Sequence, residues 1–171
     1  MQRSALFNIK GQLVTVFLLL IILVTVVGCA TGSQCQTSGK ELSAAPPLLK
    51  FQKTPCYGPC PSYEAAIMED GTITYVGWEH VTVEDTLQTY LSKRELKQLK
   101  ADISTLDYTS MQNSYLTDWT DMPFTYLTFY ENGKEVKRIK HQKGGPEKLQ
   151  QFKESLNDKI LSLVKQKSQK Q

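Results

Sequence analysis

The chain of 171 residues lacks the patterns that mark common catalytic sites: it has no glycine-rich phosphate cradle, no HExxH pair and no GxSxG turn. Serine, histidine and aspartate are present, but no spacing picks out a catalytic set. Histidine is scarce, with only His80 and His141, and a lone histidine reads first as a surface residue. Charge of one sign is also missing. Arg3 and Lys10 precede the apolar segment, and from Cys29 onward 18 basic residues face 17 acidic ones. No basic stripe with interleaved aromatics runs through this balance, which argues against a nucleic-acid partner. The sequence therefore predicts a protein that is not an enzyme, and it implies no cofactor.

The one long apolar run, residues 13–27, is also short. Its 15 residues of Leu, Val, Ile, Phe and Thr fall below the roughly 20 that a membrane span needs and suit the core of a signal peptide behind a basic start. The run ends in Val26-Val27-Gly28-Cys29, which resembles a bacterial lipobox. The resemblance implies cleavage between Gly28 and Cys29 and acylation of the Cys29 thiol. Ala30 stands where an aspartate would retain the protein in the inner membrane, so the expected location is the cell envelope, lipid-anchored in the outer membrane and facing the periplasm. Two or three acyl chains would hold it there essentially permanently, at about 0.8 kcal/mol per buried methylene. An uncleaved anchor starting near Gly11 is the alternative, and it also puts the domain outside the cytoplasm.

From 1–28 as signal peptide the chain passes to 29–47, a polar tether ending in Pro46-Pro47 with neither helical nor strand periodicity. Its eighteen residues from Ala30 to Pro47 span roughly 24 Å as a flexible coil. Cys35 lies within it and reads as an incidental thiol, or as one for an intermolecular disulfide. Residues 48–165 have the size of a single domain, and 166–171 form a polar, lysine-bearing tail.

Within the domain, extended segments are expected at 48–54, 63–68, 72–78, 81–90, 124–130 and 134–140. Asp70-Gly71 and Asn132-Gly133 give hairpin signals. A helix begins after Ser92, with Glu95 in capping-box position and Leu96, Leu99, Ile103 and Leu106 on one face. Residues 108–123 read as a structured loop. Asp118 and Asp121 lie there near Tyr115, without the glycine and third acidic ligand of a calcium loop. A last helix follows Gly144-Gly145-Pro146, with Leu149, Phe152, Leu156, Ile160 and Leu163 as its buried stripe. This order predicts an α+β fold: an antiparallel sheet of about five to six strands with two helices packed on one face, in two layers.

The chemistry concentrates in Cys56-Tyr57-Gly58-Pro59-Cys60-Pro61-Ser62-Tyr63. In an exported protein Cys56 and Cys60 suit a disulfide that staples the entrance to a strand. Gly58-Pro59-Cys60 also resembles the redox turn of thioredoxins, although there two residues separate the cysteines and a helix follows. The spacing of three before a proline looks like the copper site of periplasmic copper chaperones, which gives an alternative set of Cys56, Cys60, His80 and His141 for copper or zinc.

Residues 47 to 164 resemble an uncharacterised family of domains of unknown function, found mostly in secreted proteins and lipoproteins of bacteria such as the Bacteroidetes. Three motifs carry the resemblance: Cys56 to Tyr63 as Cys-aromatic-Gly-x-Cys-Pro-x-aromatic; Asp70-Gly71 with Tyr75 and Gly77; and Tyr115, Thr117-Asp118 and Pro123. The resemblance implies one intact domain and brings no activity with it. Two functions stand against each other. One is a non-enzymatic, membrane-tethered binding or structural module of the envelope, with an envelope protein or a small ligand as partner. The other is a periplasmic thiol protein that binds copper or zinc, or exchanges disulfides, through Cys56 and Cys60.

Overall fold

Alternation of apolar and polar side chains lays down the strands. The computed structural model describes residues 45–119 and 121–170. Strand β1 (Pro47–Lys53) buries Leu49 and Phe51, β2 (Ser62–Met68) buries Tyr63, Ala65 and Ile67, and β3 (Thr72–Glu79) buries Ile73 and Tyr75. β4 (Thr86–Tyr90) follows with Leu87 and Thr89. Helix α1 (Lys93–Leu106) and a 3-10 turn (Tyr108–Ser110) lead to the two-residue β5 (Ser114–Tyr115). β6 (Thr125–Glu131), β7 (Lys134–His141) and helix α2 (Glu147–Ser168) complete the order.

The seven strands form one sheet in the order β4-β3-β2-β1-β6-β7-β5. Every pairing is antiparallel except β5 with β7. The fold is α+β, but with seven strands where the sequence predicts five to six. The extra strand is β5, whose two residues are too few to show a period-2 pattern. The expected 81–90 strand is also shortened. Residues 81–85 leave the sheet and cross over Gly77, where an added Cβ would stand 1.8 Å from the Val83 carbonyl oxygen. Only glycine leaves room for that crossing.

Both hairpin turns use the backbone freedom that glycine supplies. Gly71 (φ 89°) follows Asp70, whose Oδ1 accepts from the Thr72 N–H at 2.8 Å, and Gly133 (φ 75°) follows Asn132 (φ 51°). Inward aromatic side chains of one sheet face meet diagonally across the strands: Phe51 lies 5.7 Å from Tyr63 and Tyr63 lies 5.3 Å from Tyr75, ring to ring. α2 lies over this face. Its Phe152 ring is 6.3 Å from that of Phe129, and its Asn157 Oδ1 accepts from the Tyr63 hydroxyl at 2.9 Å. Its last buried residue is Val164, not Leu163, which is only partly covered.

α1 is held at its start by the reciprocal capping box. The Glu95 N–H donates to Ser92 Oγ at 3.3 Å and the Ser92 N–H donates to Glu95 Oε2 at 2.8 Å. The second carboxylate oxygen of Glu95 accepts from Lys159 Nζ of α2 at 2.8 Å, so one side chain caps α1 and ties it to α2. The Lys159 hydrogen bond, then those with Ser92, push the Glu95 carboxyl down to about 2 from 4.5. A carboxyl depressed on folding adds stability above its unfolded pKa and loses it as pH falls through the folded value. Glu95→Ala is expected to cost about 1 kcal/mol at neutral pH. The gap to wild type should close between pH 4.5 and about 2, as measured by chemical denaturation across that range.

Candidate functional site

The register places four connections at one end of the sheet. Lys53 pairs with both Tyr63 and Thr125, Tyr63 with Gly77, and Thr125 with His141. Hence the β1–β2 loop (54–61), the β3–β4 loop (80–85), the segment between β5 and β6, and the β7–α2 turn (142–146) all leave from this end. Pro47, where the chain enters β1, lies at the other.

Cys56 and Cys60 form a disulfide inside the β1–β2 loop, with their Cα atoms 5.6 Å apart. The base of that loop is pinned to the start of β6: the Thr54 N–H donates to the Phe124 carbonyl at 2.9 Å, and the Phe124 N–H donates to Thr54 Oγ1 at 2.9 Å. On the other side, the buried Ser62 Oγ accepts from the Glu79 N–H at 3.1 Å, where the β2–β3 register shifts. Neither cysteine stands in the first turn of a helix, the position that most lowers a thiol pKa. While the bond is closed the two sulfurs offer no thiolate to a metal.

The two histidines do not approach one another. His80 begins the β3–β4 loop in a left-handed conformation (φ 56°), exposed, with its N–H on Glu84 Oε1 at 3.1 Å. His141 ends β7, four strand spacings from β3, about 19 Å away. Contrary to the surface placement that its sequence context suggests, His141 is only 2% exposed. Among the described residues no group of three or more His, Cys, Asp or Glu side chains is placed to hold a metal ion. Cys29 and Cys35 lie outside the described residues. Asp118 is exposed, and Tyr115 instead packs its ring against His141 (6.1 Å) and against Gly145, where a Cβ would come within 2.8 Å.

Behind the loops runs a polar row that sequence reading did not find. Tyr63, Lys53, Thr125 and His141 are successive cross-strand neighbours, and α2 sets Lys153 and Asn157, one turn apart, over them. Asn157 Oδ1 accepts from Tyr63 Oη and, at 3.5 Å, from Lys53 Nζ, while Lys153 Nζ lies 3.2 Å from His141 Nδ1. Burial lowers the pKa of Lys53 against the pull of Asp158, and burial again is the main cause for Lys153 and His141. Burial likewise raises the Tyr63 phenol. No local spacing signals this row, because its members come from four strands and a helix.

Residues 47–160 match the family model described as a domain of unknown function, DUF6438. The chain belongs to the DUF6438 family. No curated protein matches it. The DUF6438 match takes in all seven strands, α1 and α2 as far as Ile160, so the disulfide loop and the polar row both fall inside the domain. No helix among the described residues is long and apolar enough to cross a membrane.

Closing a loop this short restricts the unfolded chain modestly. Replacing Cys56 and Cys60 together by serine is expected to lower stability by about 2 kcal/mol. Thiol counting on the unreduced domain should find neither sulfur free, whereas two reactive thiols and unchanged stability in the variant would count against a structural bond.

Proposed function

We propose that this DUF6438 chain is a lipid-tethered, non-enzymatic binding module of the cell envelope. In this reading it is acylated on Cys29, anchored in the outer membrane facing the periplasm, and presents the disulfide end of its sheet to an envelope protein. The two helices form one layer over the sheet and serve as scaffold.

The observation that carries this reading is where apolar side chains stand in solvent. Of the six large hydrophobic residues exposed among the described ones, Tyr57, Trp78, Leu116 and Trp119 are at the disulfide end, and only Tyr90 and Val136 lie toward the other. Tyr57 is 96% exposed at the tip of the disulfide loop, and Trp119 is 69% exposed with Lys143 Nζ 5.4 Å from its ring centre. Tyrosine and tryptophan backed by a cation are the side chains that protein interfaces use as anchors. The folded domain is entered at Pro47, a full strand of about 23 Å from the loop end at Lys53.

A photo-crosslinking residue placed at Tyr57 or Trp119 in intact cells should trap a discrete protein, and one at Tyr90 should not. The trapped protein, purified, should bind the wild-type domain and not a Tyr57→Ala/Trp119→Ala variant, which keeps its fold because both side chains are exposed. In the same cells a Cys29→Ala form should persist as a precursor without acyl chains. Trapping nothing at the two aromatic positions, trapping equally at Tyr90, or normal processing of Cys29→Ala would each contradict the reading.

A further inference from the structure

The two helices run antiparallel. The Glu95–Lys159 pair joins the start of α1 to the second half of α2, while Thr105 and Lys148, near the opposite ends, line the same cavity. That cavity is an open groove of about 810 Å3, within the size range of small-molecule sites. Its floor is apolar: Leu91 ahead of α1, Leu99 and Leu106 from α1, and Phe152 and Leu156 from α2. One wall is the α1 stripe of Arg94, Gln98, Asp102 and Thr105. The other is the α2 stripe of Lys148, Gln151, Ser155 and Lys159. Each stripe advances by three or four residues per step, so it keeps to one face of its helix for roughly 16 Å.

The floor residues are each at most 9% exposed, so covering them further returns little hydrophobic free energy. That weighs against an acyl chain or the apolar face of a helix, both of which bind by burying such surface. The walls offer hydrogen bonds instead. Gln98 Nε2 donates to Asp102 Oδ1 at 2.8 Å, and Gln151 Nε2 donates to Glu147 Oε1 at 3.0 Å. Each amide is oriented by that bond and keeps its carbonyl oxygen and a second N–H for a ligand, and Asp102 keeps its other carboxylate oxygen. Among the described residues Arg94, Lys148 and Ser155 have no hydrogen-bond or ion-pair partner. The groove thus sets donors and acceptors along both sides of a thin apolar floor.

We propose that the groove between α1 and α2 binds a short oligosaccharide. Pyranose rings combine apolar C–H faces, which suit Leu99, Phe152 and Leu156, with hydroxyls along their edges that both donate and accept, which suit Gln98, Asp102, Gln151 and Ser155. Arg94 and Lys148 add donors at the two ends. Rigid rings also give up little conformational freedom on binding. None of the exposed aromatics lines the groove, so the site does not depend on the partner reading above.

The test is a titration of the full-length chain, in a detergent without a sugar headgroup, with chitotriose and with cellotriose, followed by amide chemical shifts. Saturable shifts confined to the amides of α1 and of residues 147–159 are expected for at least one of the two. Preference for chitotriose assigns an N-acetylated sugar, and preference for cellotriose an unsubstituted one. A Gln98→Ala/Gln151→Ala variant should bind about tenfold more weakly or worse while its melting point holds, because both side chains are exposed. Tyr57→Ala/Trp119→Ala should bind like wild type. No saturable shift with either sugar, wild-type binding by the glutamine variant, or loss of binding in the aromatic variant would overturn the proposal. So would detergent methylenes that contact Leu99 and Leu156 and are not displaced by sugar, an outcome that assigns the groove to an acyl chain.

Discussion

Strand β1 forms hydrogen-bonded ladders with β2 on one side and with β6 on the other, and every other strand takes its place from that double pairing. Three strands lie on each side of it. The β2 ladder is local, closing over the disulfide loop. The β6 ladder joins Leu49 to Phe129 and Lys53 to Thr125, so the first strand of the domain must wait for a segment more than seventy residues later. Loop-closure entropy makes such pairing slow, and it resists local fraying once made. Because β1 is central, its end at Lys53 delivers the Cys56–Cys60 loop to the middle of the sheet instead of to an edge.

The same placement divides the inner face into two zones. Toward Pro47, Leu49, Phe51, Ile67, Leu127 and Phe129 make a dry core with Tyr108, whose ring stacks on Phe129 at 4.1 Å and whose hydroxyl donates to Glu131 at 2.7 Å. Toward the loops, the next inward row is polar, and its two lysines, histidine and asparagine give up hydrophobic burial. A core that yields its last row to half-buried cations loses stability there. The disulfide loop, the Thr54–Phe124 bonds and the Ser62–Glu79 bonds hold the backbone around that row in one geometry.

What was legible in the sequence was what local chemistry decides. Asp70-Gly71, Asn132-Gly133 and the Ser92/Glu95 box each announce themselves within four residues, and each forms the turn or cap that its side chains specify. The stripe of α2 is readable to Ile160, after which the helical phase drifts by one residue and Val164 takes the position expected for Leu163. The strand order is not readable, because the partner of β1 across the sheet depends on packing over long separations. β5 owes its existence to pairing with Lys140 and His141 and not to any preference of its own. The polar row escapes for the same reason. Lys53 and Lys153 look like solvated surface charges until β1 and α2 are brought together, and His141 looks exposed until the Tyr115 ring packs against it and its Nε2 meets the Gly144 carbonyl.

The claim on which the rest depends is that β1 is a rigid central strand carrying the loop end, and native-state hydrogen exchange tests it residue by residue. The amides of residues 49–53 should exchange only through global unfolding, with the same free energy as β2 and β6. They should keep that behaviour when Cys56–Cys60 is reduced, while residues 54–61 open locally and more readily. Exchange of the β1 amides by local opening, as fast as in the edge strand β4, would contradict the account.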